Sequence, residues 1–158
     1  MFREMRRFKQ KLSEEECLNI LKNEKRGVLC VQGDDGYPYG VPIDFWYDEE
    51  TEKICFHGAR EGHKMDSINR SDKVTFCVYD EGYRKDGEWA LNIKSVIVFG
   101  RIKTVEDEQR AEKISRNIAL KFTDDMDYID LEVKRHIKRV NCLEITPEHI
   151  TGKLIKES

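Results

Sequence analysis

The sequence contains no apolar run long enough to cross a bilayer, and its N-terminus lacks the apolar core of a secretion signal, so residence in the cytoplasm and no membrane partner are expected. It has no Cys-x-x-Cys pair and no His at zinc-ligand spacing. Its five cysteines, Cys17, Cys30, Cys55, Cys77 and Cys142, are odd in number and scattered. That excludes a disulfide framework and argues against a metal site. Internal repeats and low-complexity linkers are missing, so the 158 residues read as one domain, 1–158, long enough to bury a core. Net positive charge is missing too: at −3 with 37% charged residues, the surface is well hydrated and has no overall attraction for nucleic acid. The local exception is a basic arm, residues 1–11, with Arg3, Arg6, Arg7, Lys9 and Lys11. It reads as solvated or packed on a neighbouring subunit; a nucleic-acid role would need salt-sensitive binding that is lost when the arm is removed. No nucleophile with a base partner is recognisable.

Hydrophobic patterning indicates a β-rich chain. Ser13 and Glu16 form a capping box ahead of Cys17, Leu18, Ile20 and Leu21, which predicts a helix ending near Gly27. Residues 27–32 read as a buried strand, 33–36 as a hairpin turn and 37–47 as one long second strand. Pro38 and Pro42 donate no ladder hydrogen bonds, so that strand should have an edge, a bulge or an unpaired stretch around Pro42. Strands follow at 53–57 and 73–79, and a long one at 92–105 is apolar on both faces in its middle, as at a sheet centre, barrel wall or subunit interface. Helices are expected from Glu106, with Ala111, Ile114, Ile118 and Phe122 on one face, and over about 127–138. A last strand covers 140–145, interrupted by Pro147 and extended by 149–154. About six strands with peripheral helices, and no crossover helices between them, predict a mainly β (α+β) fold: a small antiparallel barrel.

The segment Phe56-His57-Gly58-Ala59-Arg60-Glu61-Gly62-His63-Lys64 carries the most chemistry. A strand ends in small residues that let a flat ligand approach the backbone, and a helix then opens with basic side chains and unpaired amides suited to phosphate. The same pattern also occurs as a plain connection without a ligand. It is not a Walker loop: the glycine spacing is one residue short, and Met65 stands where a magnesium-binding Ser or Thr is required. A nucleoside triphosphatase is disfavoured.

The order of motifs resembles the pyridoxamine-phosphate-oxidase-like, FMN-binding split barrels, and among them the nitroimidazole-resistance (Nim-like) branch. The resemblance covers nearly the whole chain and rests on Gly27-Val28-Leu29, on Gly36-Tyr37-Pro38-Tyr39-Gly40-Val41-Pro42 and on Phe56 through Lys64. It continues through Ser95-Val96-Ile97-Val98-Phe99-Gly100 and Ile150-Thr151-Gly152-Lys153. It implies a six-stranded antiparallel split β-barrel that forms a homodimer, with FMN in two interfacial clefts. Carried over by position, Val41, Pro42, Ile43 and Asp44 would lie along the isoalloxazine. Phe56, His57, Gly58 and Ala59 would flank the ring and ribityl chain, His63 and Lys64 would hold the phosphate, and Ser95 and Val96 would approach from the barrel wall. His63 stands where the oxidases commonly have Arg, and Leu91 and Ile93 replace a threonine and tyrosine of many Nim-like proteins. The oxidase C-terminal substrate motif is missing, which argues against oxidation of pyridoxamine phosphate.

The function implied is an FMN-dependent oxidoreductase, drawing hydride from NAD(P)H and reducing a nitroaromatic or other electron-poor small molecule. His57 is the side chain nominated for proton chemistry, against the alternative that it packs or bonds backbone. Phe45, Trp46, Tyr83 and Trp89 are candidates to stack on an aromatic acceptor, against the alternative of core or interface packing. The competing function is a flavin- or haem-binding barrel that holds its cofactor without turnover, and a deazaflavin could occupy the same cleft.

Overall fold

The computed structural model describes residues 1–156. Ser13 opens α1 (Glu14–Asn23) with a reciprocal cap: its hydroxyl accepts from the Glu16 amide at 3.2 Å, and the Glu16 carboxylate accepts from the Ser13 amide at 2.9 Å. The chain then forms β1 (Arg26–Gln32), β2 (Pro38–Asp44), β3 (Trp46–Asp48), β4 (Lys53–Gly58), α2 (His63–Arg70), β5 (Lys73–Tyr79) and β6 (Asn92–Thr104). The helices α3 (Glu108–Leu120) and α4 (Met126–His136) precede β7 (Asn141–Lys156). None of these helices is long and apolar enough to cross a membrane.

All strand pairs are antiparallel, in the order β2-β1-β5-β6-β7-β4-β3. β2 and β3 stand at opposite ends of that order, yet Phe45 alone separates them in sequence. The sheet must therefore curl until its two ends approach, leaving a split between the edge of β2 and the β3–β4 end. Inside, alternate residues of each strand form one core, including Leu29, Phe56, Phe76, Val96 and Ile145. Phe76 is its hub, edge-on to Phe45 at 4.9 Å and to Phe56 at 5.2 Å. A smaller cluster outside the barrel packs α3 residues Ile114 and Ile118 on Cys55 and Cys142.

The mainly β split barrel is as expected, with seven strands instead of six. The long strand over 37–47 breaks at Phe45: Asp44 still pairs with Arg26 of β1, whereas Trp46 pairs with Cys55 of β4. Alternation of side chains continues through such a change of partner, so sequence periodicity carries no mark of it. The ladder opposite Pro42 is unbroken from Arg26–Asp44 to Gln32–Pro38, and the prolines are accommodated because β2 is an end strand. Pro147 does not interrupt β7; the strand continues through a bulge in which Phe99 faces His149 and Gly100 faces Pro147.

Gly100 makes that bulge possible. A Cβ there would lie 2.5 Å from the Thr146 carbonyl oxygen and 2.6 Å from Ile145 Cγ2. Gly100→Ala is expected to cost about 1–3 kcal/mol, read from the urea midpoint. An unchanged midpoint would mean that the bulge yields freely.

Candidate functional site

The split gathers three of the predicted groups. β2 supplies Val41, Pro42, Ile43 and Asp44 along an edge with no strand beyond it, so its backbone is open to a ligand. Ile43 turns into the core, Pro42 is exposed, and Val41 and Asp44 are half-buried. Asp44 accepts from Arg26 Nε at 2.6 Å. β4 ends beside this edge with His57 and Gly58 half-buried and Ala59 exposed. Phe56 is fully buried in the barrel, so its side chain does not reach a ligand in the split.

His57 and Cys55 face the other side of β4 from Ile54 and Phe56, outward beneath α3 and α4. Burial lowers the His57 pKa; Asp44 opposes that shift and Lys64 adds to it. The imidazole is therefore neutral at neutral pH, with one nitrogen donating and the other accepting.

The basic pair at the start of α2 divides into unequal members. Gly62, at φ 117°, takes a backbone conformation that favours glycine and sets the helix start. Lys64 reaches back over β4, where a Cβ on Gly58 would lie 2.8 Å from its ammonium. Burial alone depresses its pKa, and among the described residues no carboxylate offsets it. A half-buried ammonium beside exposed helix amides and a bare glycine is suited to an anion such as a phosphate. His63 is committed elsewhere: its ring stacks on Tyr39 at 4.1 Å, and its Nε2 lies 3.5 Å from Asp34, which also pairs with Arg70 at 2.7 Å. A carboxylate beside His63 weakens it as a phosphate ligand, so Lys64 is the stronger of the two.

Within one chain Ser95 and Val96 do not join this group. β6 lies three strands from β2 and two from β4. Val96 is buried in the barrel, and Ser95 faces the outer side of the sheet near Arg3, Met5 and Lys153. The basic arm lies over this outer face, with Phe2 stacked on His149 at 4.8 Å and on Phe99 at 5.5 Å. Of the aromatic candidates, Phe45 is fully buried and Trp46 lies under Arg110, whereas Tyr83 and Trp89 are exposed.

One group at the split escaped the sequence reading. Lys121, just past α3, lies 4.0 Å above the Phe45 ring and donates to the Glu24 carbonyl at 2.6 Å. Burial pushes its pKa down to about 8, against the pull of Glu24 and Asp44. Its only signal in sequence was a lysine at the end of an amphipathic helix, a commonplace of solvent-facing helix ends.

A curled antiparallel sheet of this order, open along one seam and flanked by an anion-ready helix start, defines the protein as a split barrel of the FMN-binding type of architecture. The family model described as pyridoxamine 5'-phosphate oxidase matches residues 13–154, and the chain belongs to that family. No curated protein matches the sequence. Among solved structures, it is similar to a candidate 5-nitroimidazole antibiotic resistance protein from Bacteroides thetaiotaomicron, with TM-score 0.77, 17% identity and coverage of 93% of this chain and 87% of that one. It is also similar to a conserved hypothetical protein from Mycobacterium tuberculosis (TM-score 0.80, 16% identity, coverage 95% and 90%). A third similar structure is an FAD-binding protein from Mycobacterium smegmatis (TM-score 0.67, 23% identity, coverage 94% and 99%).

Proposed function

We propose that the protein is an FMN-dependent oxidoreductase that takes electrons from NAD(P)H and passes them to nitroaromatic or other electron-poor small molecules. The observation that carries this reading is the half-buried Lys64 ammonium, without a carboxylate partner among the described residues, lying over Gly58 beside the open edge of β2. The residues fit the cofactor: the β2 backbone edge suits the polar rim of a flavin, Gly58 leaves room for it, and Lys64 holds its phosphate. When bound, FMN supplies the transfer of hydride and electrons between nicotinamide and acceptor.

The chain's own groups bind, orient and shield. His57, neutral and next to the cleft, offers one ring N–H as a hydrogen bond to the acceptor as it gains electrons, and the proton that the acceptor takes up comes from solvent. The outer face of β1, β5 and β6 bears Tyr79, Ile97 and Phe99 with large exposed areas, and Cys30 and Cys77 half-buried between them. Such a face supports association of two copies, and Ser95 then serves a cleft that it does not reach within its own chain.

The test is a visible spectrum of the purified protein with FMN, followed by anaerobic NADH or NADPH. Flavin bands that bleach with nicotinamide and return with a nitroaromatic acceptor are expected. A protein that ignores FMN, or one that binds it but is not reduced, overturns the enzyme reading.

A further inference from the structure

Outside the split, α3, α4 and β4 line a cavity of about 280 Å³ that opens to solvent beside the exposed Tyr128 and His136. Its walls are apolar, from Ala119, Ile129, Val133 and Val140, and His57 stands at one side. Polar groups are few. The Tyr128 hydroxyl and the Glu132–His136 pair, 3.3 Å apart, line it from α4, and the Ser115 hydroxyl is 3.7 Å from Cys142 Sγ. Sparse polar groups on an apolar wall are the pattern of a small-molecule site, and the volume is that of one or two rings.

We propose that this cavity receives the electron acceptor, an uncharged one- or two-ring aromatic molecule, with His57 as the wall shared between acceptor and cofactor cleft. The assignment of the ligand as an acceptor rests on the flavin reading above; the pocket itself does not. Charge selects the class. The Glu132 carboxylate lines the cavity and no lysine or arginine does, so an anionic ring is repelled and a neutral one enters. Position selects the role. His57 lines the cavity, and the Lys64 ammonium that lies over Gly58 is near enough to add to the lowering of its pKa, so the imidazole stands between the cavity and the cofactor's anchoring point. A hydrogen-bond-accepting substituent on the ring, such as a nitro or carbonyl group, meets the imidazole N–H.

The experiment titrates the full-length protein, with and without FMN, with 4-nitrobenzyl alcohol and with 4-nitrobenzoate, following isoleucine and valine methyl resonances. Val133→Trp and Ala119→Leu fill the cavity from different helices, so Ala119→Leu decides if Val133→Trp fails to fold. FMN affinity is measured separately in each protein. Expected is binding of the alcohol by the wild type, with methyl shifts on α4, weakened about tenfold or more in either filled variant while FMN affinity stays within about twofold. The carboxylate should bind more weakly than the alcohol. Binding that filling leaves unchanged, or no binding of the alcohol, overturns the pocket, and equal binding of the carboxylate overturns the uncharged class. A protein that binds the alcohol in the cavity but never binds FMN keeps the pocket and overturns the flavin reading.

Discussion

Arg110→Ala is expected to lose about 3–5 kcal/mol of stability, the range for removing one partner of a buried ion-pair network, and to lower Tm by about 10 °C. In the first turn of α3, the Arg110 guanidinium donates to Asp48 Oδ2 at 2.5 Å, to Glu144 Oε2 at 3.3 Å and to Thr51 Oγ1 at 3.2 Å. Lys53 supplies Glu144 with a second partner at 2.7 Å. The Asp48 and Glu144 side chains are 3% and 6% exposed, so Arg110→Ala leaves Asp48 charged, buried and without a cation. Burial works against ionisation of both carboxyls, but Arg110 and Thr51 at Asp48, and Lys53 with Arg110 at Glu144, outweigh it and hold both below the usual range.

The pH dependence has a definite sign. Both folded pKa values are depressed, so the stabilisation is present above the unfolded value of about 4 and is lost as pH falls through the folded values. Without the guanidinium the carboxyls protonate at higher pH, so the acid-unfolding midpoint of the variant should move up. Arg110→Lys should recover only part of the loss, because an ammonium cannot fork between two carboxylates. Urea unfolding at pH 7 and an acid titration followed by circular dichroism check both points. A Tm within 2–3 °C of the wild type, on the order of 1 kcal/mol, would show that burial of the carboxylates offsets most of what the arginine contributes.

Lys64→Met should weaken FMN binding by about 10- to 100-fold, since a charge-assisted hydrogen bond to phosphate contributes about 1.5–3 kcal/mol and each 1.4 kcal/mol is tenfold. Methionine keeps much of the side chain's reach over Gly58 and removes only the charge. His63→Gln should change the affinity by less than about threefold, because the Asp34 carboxylate and the Tyr39 ring already engage the imidazole. Quenching of flavin fluorescence measures both. Reversal of the two effects would place the phosphate at His63 and reduce the Lys64–Gly58 contact to packing.

Much of the fold was legible because its signals are local. The Ser13–Glu16 capping box appears with both hydrogen bonds, and the strands expected at 27–32, 73–79 and 92–105 match β1, β5 and β6 to within one residue at each end. The amphipathic stripe Ile114–Ile118 lies against the sheet as its spacing predicts. Other features escaped because they depend on which strand lies beside which. Cys30, Cys55 and Cys77 all lie in segments expected as strands, yet Cys30 and Cys77 turn to the outer face while Cys55 is sealed beneath α3, where burial pushes its thiol up to about 12. Phe56 reads as a ligand contact from its place in the motif, and Phe45 as a candidate for stacking against the alternative of core packing; the curl of the sheet turns both inward.

Local sequence by itself determined the succession of strands and helices, the glycine-rich turn into a basic helix start, and the resemblance to a family that the match over residues 13–154 shows. Those features depend on neighbours a few residues apart, whose periodicity and turn chemistry are written directly in the chain. Tertiary structure alone decided that the second strand breaks at Phe45, that Lys64 has no carboxylate partner among the described residues whereas His63 lies beside Asp34, and that Lys121 reaches the split. It also decided that α3 and α4 leave a cavity against His57. Residues 44, 57, 64 and 121 come together through the closing of a seven-stranded sheet on itself, and no local pattern records the partner across a fold.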